Sequence, residues 1–117
     1  MNIKKIAWLT DVHLNFLETD ARKIFHQSID QTDSDAILIT GDIAEATDVC
    51  EILNEFTAHT DKHIYFVLGN HDYYSGSVAS VREKINILCS QNSKLTWLGK
   101  PEIINITSVM DKPALTI

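Results

Sequence analysis

The chain has 117 residues, of which 44% are hydrophobic, so it is long enough to bury the core of one globular domain. The formal net charge of -6 argues against a general nucleic-acid binder, which needs a basic surface, and no apolar run could span a bilayer. The N-terminus does not read as a signal peptide, and Cys50 and Cys89 lack a CxxC spacing. We therefore expect a cytoplasmic protein with no membrane association.

Strand-like and helix-like segments alternate along the chain. Short apolar runs predict strands at residues 3–10, 36–40, 63–68, 95–98 and 102–107, with a further strand beginning after Pro113. Apolar residues at helical spacing predict helices at residues 20–31, 47–59 and 77–91. The alternation predicts an α/β fold with a largely parallel sheet built from βαβ units. Because the first three strands are continuous apolar runs, we expect both faces of the sheet to be covered.

The apolar stripe of each helix predicts the face that it turns to the core. The stripe of the first helix consists of Ala21, Ile24, Phe25 and Ile29, and that of the second consists of Val49, Ile52, Leu53 and Phe56. We expect Thr19 or Asp20 to cap the first helix, because a side-chain oxygen there can accept from an unpaired N–H. Three further histidines are expected at the surface or at strand edges: His26, His59 and His63.

Polar side chains follow each of the first three predicted strands. Asp11 and His13 lie in "TDVHL" after the first strand, Asp42 lies in "GDIAE" after the second, and "GNHDYY" follows the third with Asn70. The intervals between these motifs are roughly 30 residues, which is about one βαβ unit. Because the carboxyl ends of parallel strands meet at one edge of a sheet, we expect these side chains to lie together.

The chemistry of these four side chains suits a metal site. Asp11 and His13 are two positions apart, so in extended backbone both would leave the strand on the same face. Asp42 has two oxygens that can bridge two ions, and Asn70 offers a neutral carbonyl oxygen. Such a set without a thiolate suits Mn²⁺, Fe²⁺ or Zn²⁺. Without a metal, Asp11 and Asp42 would face each other as like charges, so each is expected to raise the other's pKa.

The motifs "DVH", "GDI" and "GNHD", in this order, resemble the calcineurin-like metallophosphoesterase family. The resemblance implies a hydrolase, a phosphatase or phosphodiesterase that cleaves phosphate mono- or diesters with a hydroxide on a binuclear metal centre. Its substrate would be a phosphate ester, and its cofactors would be two divalent ions in the complete domain. In the implied metal site, Asp11 and His13 bind the first metal, Asp42 bridges the two metals, and Asn70 binds the second. The implied catalytic group is His71, which protonates or stabilises the leaving oxygen. The resemblance implies that Asp72 orients His71.

The match to the family pattern is incomplete. The family continues with a later Gly-His pair and a Gly-His-x-His motif, whereas this chain has no histidine after His71. Residues 1–117 therefore resemble a partial, N-terminal portion of the family domain, half of a four-layer α/β/β/α sandwich. The alternative function is a truncated, catalytically incompetent half-domain with weak residual metal binding, or one that acts only by association with another chain. We expect self-association through an uncovered sheet face or edge.

Other interpretations of single residues stay open. Asn70 to Asp72 could form an ordinary polar turn whose side chains bond their own backbone. Tyr73 and Tyr74 are expected to pack in a loop rather than to stack on substrate, and Glu45 is expected on a solvated face. A phosphate-accepting signalling domain ranks last, because Asp-x-His follows the first strand where that fold would place paired acids.

Overall fold

The computed structural model describes residues 3–99 and the strand formed by residues 110–116. In these ranges five strands form one sheet, three α-helices connect its strands, and short 3₁₀ turns follow the first and third strands. The strands are β1 (Ile3–Leu9), β2 (Ala36–Thr40), β3 (His63–Val67), β4 (Leu95–Trp97) and β5 (Met110–Thr116). The helices are α1 (Thr19–Asp30), α2 (Val49–Thr57) and α3 (Val78–Gln91), and the 3₁₀ turns are Leu14–Phe16 and Asn70–Tyr73.

These elements confirm the predicted α/β fold. Each predicted helix and each of the first four predicted strands is present within two residues of its expected bounds. The strand expected after Pro113 is part of β5, which begins earlier at Met110. The strand predicted at residues 102–107 lies outside the described residues.

The strands lie in the order β4-β3-β2-β1-β5, and every neighbouring pair is parallel. In the centre of the sheet Leu38 of β2 pairs with Trp8 of β1 and with Tyr65 of β3. The connections from β1 to β4 therefore step three times in the same direction. Because βαβ crossovers are right-handed in nearly all proteins, such a series places its helices on one face of the sheet.

The main core lies between that face and the helices. Ile37, Ile39 and Phe66 of the central strands pack with Phe56 of α2 and Ile85 of α3, and all five side chains are buried. The predicted stripe of α2 is confirmed in full, because each of its four residues is buried. Burying a large aliphatic or aromatic side chain stabilises a fold by about 1.5–3 kcal/mol, so this layer fixes the positions of the strands.

The opposite face carries a smaller apolar cluster. Ile6, Ala36 and Tyr65 are buried there, and Leu38 and Leu98 are partly buried against them. No helix contributes to this cluster within the part of the chain that the structure describes. In the described residues the helices therefore cover one face of the sheet only, because the three crossovers from β1 to β4 turn the same way. Self-association through this face stays a prediction.

The first helix begins one residue earlier than the pattern predicts, and it turns a different side toward the core. Its first residue is Thr19, Glu18 precedes it, and no side chain caps it, so the predicted cap is wrong. Phe25 packs against the core as expected, but Ile24 is 68% exposed. The buried residue of α1 is His26, because its ring lies against Phe56 with the two ring centroids 4.2 Å apart.

The expectation that His26 lies at the surface is therefore wrong. The side chain is fully buried, its Nε2 lies 3.7 Å from Oε1 of Glu55, and neither ring nitrogen has a hydrogen-bond partner. Burial lowers the pKa of His26 to about 4, and the charges of His59 and Arg22 act in the same direction while Glu55 opposes them. The neutral imidazole thus serves as a core side chain.

None of the helices in residues 3–99 is long and apolar enough to cross a membrane. The cytoplasmic location stays a prediction.

We expect His26 to make the fold less stable in mild acid. Its folded pKa of about 4 lies below the ordinary value of 6.5, so the unfolded chain binds more protons between these pH values. From pH 6.5 down to pH 4, the free energy of unfolding should fall by up to about 3 kcal/mol more in the wild type than in His26→Leu. Urea unfolding at several pH values measures this difference. Gln27→Leu, an exposed change on the same helix, is the control, and parallel pH profiles of the wild type and His26→Leu would contradict the expectation.

Candidate metal centre

The loops after β1 and β2 run side by side at the carboxyl edge of the sheet. The backbone N–H of Asp11 donates to the Gly41 carbonyl at 3.2 Å, and that of His13 donates to the Asp42 carbonyl at 3.0 Å. Leu14 continues the series by donating to Ile43 at 2.7 Å. These bonds bring the Asp-x-His and Gly-Asp motifs together, as the positions of the motifs after parallel strands predicted.

Three of the predicted ligands have left-handed backbone conformations. The φ angles are 53° at Asp11, 44° at His13 and 51° at Asp42. Residues other than glycine seldom adopt such angles, which cost of order 1–3 kcal/mol each and cluster at functional sites. The expectation that Asp11 and His13 project from one face of an extended strand is wrong, since β1 ends at Leu9 and both residues lie beyond it.

The loop after β3 reaches the same edge because of Gly69. A Cβ placed on Gly69 would lie 2.6 Å from the backbone nitrogen of Asp42 and would also meet its carboxylate oxygen Oδ1. Only glycine permits this approach. With Gly69 in place, the backbone N–H of His71 donates to Oδ1 of Asp42 at 2.9 Å.

His13, Asp42 and His71 form a group that could hold a metal ion. One ligand atom from each lies within 4.8 Å of the others. The rings of His13 and His71 meet edge to face with centroids 4.8 Å apart, and Nδ1 of His71 lies 3.3 Å from Oδ2 of Asp42. Ligand atoms bound to one ion at roughly 2.1 Å lie at most about 4.2 Å apart, so small side-chain rotations would bring these three onto one ion.

The other two predicted ligands lie beside this group. The carboxylate of Asp11 contacts that of Asp42 and accepts a hydrogen bond from the Thr10 hydroxyl at 3.1 Å. Asn70 is exposed and opens the second 3₁₀ turn, directly before His71. All four predicted metal ligands therefore follow strand ends at one edge of the sheet. Their roles as ligands stay predictions.

The pKa of Asp42 does not follow the like-charge expectation. Burial acts to raise the pKa of this carboxyl, but its hydrogen-bonding contacts with His71 and Asp11 outweigh burial, and the pKa lies below its ordinary value. The expected increase is therefore wrong for Asp42, because burial alone acts to raise its pKa, whereas the contact with Asp11 and the hydrogen bond from the His71 backbone both favour the charged form. An ionised Asp42 is the form that a cation would bind.

Asp72 points away from His71, contrary to the predicted orienting hydrogen bond. Its side chain is fully buried, Oδ1 accepts from the backbone N–H of Ala44 at 2.8 Å, and Oδ2 accepts from that of Gly69 at 2.9 Å. A further backbone hydrogen bond comes from Ile43. Burial raises the pKa of Asp72 and these N–H groups counteract it. Asp72 thus joins the loop after β2 to the loop after β3.

A cavity of about 260 Å³ adjoins the group of His13, Asp42 and His71. Its lining residues include His13, Asn15, Phe16, Glu45, His71 and Tyr74. The interpretation of Tyr74 as loop packing and of Glu45 as a solvated residue missed this cavity. The sequence holds one signal for it, because Phe16 and Tyr74 are large aromatic side chains only a few residues from the two site histidines.

The fold and this donor set define an α/β protein whose sheet edge carries a group able to hold a metal ion. The chain belongs to the calcineurin-like phosphoesterase family, whose profile matches residues 4–112. This match confirms the resemblance seen in the three motifs. Searches of curated proteins and of solved structures found no match.

We expect Asp72→Ala to destabilise the protein by about 2–4 kcal/mol, because it leaves buried N–H groups of two loops without an acceptor. Asp72→Asn keeps one acceptor oxygen and should lose less. Chemical denaturation measures both effects. Asp61→Ala is the matched control, since the Asp61 side chain is fully exposed and its loss should change stability by less than about 0.5 kcal/mol. Equal stabilities of Asp72→Ala and Asp61→Ala would refute this role.

Proposed function

We propose that this chain is a metal-dependent phosphoesterase that hydrolyses phosphate mono- or diesters at the carboxyl edge of its sheet. The observation that carries the proposal is the meeting of His13 and Asp42, two of the predicted ligands, with His71, the predicted proton donor: one nitrogen or oxygen atom of each lies within 4.8 Å of the others. The match of residues 4–112 to the calcineurin-like phosphoesterase family supports the reaction class.

The residues at this edge fit a divalent ion. They combine carboxylate oxygens, imidazole nitrogens and an amide oxygen, a set that suits Mn²⁺, Fe²⁺ or Zn²⁺. Nδ1 of His71 is buried and has no hydrogen-bond partner, although Oδ2 of Asp42 lies 3.3 Å away. Asp11, His13, Asp42 and Asn70 would hold the ion or ions, and His71 would stand beside them without being a ligand. When bound, such ions would supply Lewis-acid activation of water and of the phosphate.

His71 would handle the proton of the leaving group. Its side chain is 40% exposed, lines the cavity, and directs Nδ1 toward Oδ2 of Asp42. A small ring rotation would let Nδ1–H donate to this carboxylate and so fix the tautomer, which leaves Nε2 to face the substrate. Protonating the leaving oxygen from Nε2 would then contribute about 10²–10⁴-fold to the rate, as positioned general acids do.

We expect Mn²⁺ or Zn²⁺ to raise the thermal midpoint of the chain. A ligand that binds only the folded state stabilises it by about 2.7 kcal/mol at 100 times its Kd. Asp42→Asn should abolish the rise, because it removes the charge. Asparagine also tolerates the left-handed backbone at this position better than alanine would.

Thermal scans with and without saturating metal measure this effect. Asp61→Asn is the matched control, because it removes an exposed carboxylate and should keep the full rise. A midpoint that neither metal shifts in the wild type would count against the metal site. A rise that persists in Asp42→Asn would place the metal elsewhere.

A second candidate function is a half-domain that binds metal weakly and acts only by association with another chain. Two observations favour it. The chain has no histidine after His71, and in the described residues the helices cover one face of the sheet only. Losing ligands of a metal site lowers affinity steeply, since even the loss of a supporting residue costs 10–100-fold.

Hydrolysis of 4-nitrophenyl phosphate, a monoester, and of bis(4-nitrophenyl) phosphate, a diester, in Mn²⁺, measured over a range of chain concentrations, separates the two candidates. A self-sufficient enzyme gives a rate per chain that does not depend on concentration, and His71→Ala should reduce it by at least 10²-fold. His59→Ala is the control for loss of a histidine outside the site. A rate per chain that rises with concentration, together with association in sedimentation, would support the second candidate. No hydrolysis at any concentration would reject the first.

A further inference from the structure

Two aromatic side chains, Phe16 and Tyr74, line the cavity beside His13, Asp42 and His71 and do not belong to the buried core. Phe16 is 76% exposed and Tyr74 is 51% exposed. The ring of Phe16 lies 5.6 Å from that of His13, and the ring of Tyr74 lies 4.5 Å from that of His71. The two histidine rings are themselves in contact. Large aromatic side chains left exposed beside a cavity are typical of ligand-binding surfaces.

The size of the cavity limits what these walls can hold. Its volume of about 260 Å³ lies below the roughly 300–1,000 Å³ of pockets for drug-sized molecules. It therefore suits a single ring system rather than a long chain or a folded peptide. Phe16 and Tyr74 follow the two site histidines in their respective loops, so a ring between them would sit next to the reacting phosphate.

The polar lining of the cavity offers acceptors. Nδ2 of Asn15 donates to Oε2 of Glu45 at 3.2 Å, which fixes the carboxylate against the amide. Oδ1 of Asn15 is buried and has no hydrogen-bond partner. A buried acceptor without a donor costs about 1–3 kcal/mol, so a ligand donor that reaches this oxygen after a rotation of the Asn15 amide gains from this arrangement. The negative charge of Glu45 disfavours a second anionic group on the ligand.

We propose that the substrate is a phosphate ester of a planar aromatic ring that carries N–H or O–H donors. The ring lies between Phe16 and Tyr74, and its donors bond to Asn15 and Glu45. This inference rests on the proposed phosphoesterase function, because the cavity adjoins the same centre. It selects against aliphatic esters, which lack a π-face, and against esters whose substituent carries further negative charge.

Phosphonates test the proposal by binding, since their carbon–phosphorus bond is not an ester. Calorimetric titration in Mn²⁺ compares cyclohexylphosphonate, phenylphosphonate and 4-aminophenylphosphonate. Phenylphosphonate should bind about 3–10-fold tighter than its saturated counterpart, as expected for one aromatic contact, and the amino group should add a similar factor. Equal dissociation constants for the phenyl and cyclohexyl compounds would overturn the proposal.

Variants assign the preference to its residues. Phe16→Leu and Tyr74→Leu should each reduce the preference for phenyl over cyclohexyl, while Glu45→Gln should reduce the preference for the amino group. Leu17→Ala is the matched control, because Leu17 is a partly exposed neighbour of Phe16 outside the cavity lining and should keep both preferences. Unchanged preferences in the first three variants would also overturn the proposal.

Two further arms separate this proposal from the proposed function. If methylphosphonate fails to bind in Mn²⁺, the phosphate-binding centre fails. The ring preference is then read without metal, from the chemical-shift changes that 4-aminobenzyl alcohol and cyclohexylmethanol cause at Asn15 and Glu45. Saturable changes with the aromatic alcohol and none with the cyclohexyl alcohol support the ring site. The same response to both alcohols, or none to either, overturns it.

Discussion

The buried carboxylate of Asp72 is the contact on which the candidate centre depends. It accepts hydrogen bonds from the backbone of Ala44 and of Gly69, which belong to loops that follow different strands. Holding Gly69 close to Asp42 lets the backbone N–H of His71 reach the Asp42 carboxylate. The group able to hold a metal is thus assembled by a residue that does not belong to it.

The second constraint is the strained backbone of the two preceding loops. Asp11, His13 and Asp42 keep left-handed conformations that asparagine, aspartate and histidine tolerate better than most residues. Hydrogen bonds between the loops after β1 and β2 hold these conformations in place. Strain of this kind is found where side chains must converge, and here it directs the side chains of two strand ends toward one point.

The packing of the helices on one face of the sheet positions these loops. The repeated right-handed crossover places α1, α2 and α3 against one face and lines up the carboxyl ends of β1, β2 and β3. Periodicity in the sequence predicted the strands and the stripe of α2 well, because these depend on neighbouring residues. It failed for α1, where His26 rather than Ile24 is buried. Which of these two side chains is buried depends on how the His26 ring packs against Phe56 of α2.

The sequence alone determined the class of fold, the family and the edge of the sheet at which the site lies. These follow from local periodicity and from three short motifs whose spacing matches the βαβ unit. Only the tertiary structure decided that Asp72 turns inward to backbone N–H groups, that Asp42 rather than Asp72 faces His71, and that Phe16 and Tyr74 wall a cavity beside the centre. Each of these depends on groups that are distant in the sequence and come together only when the loops pack. Hydrogen bonds of that kind leave no periodic pattern in the chain.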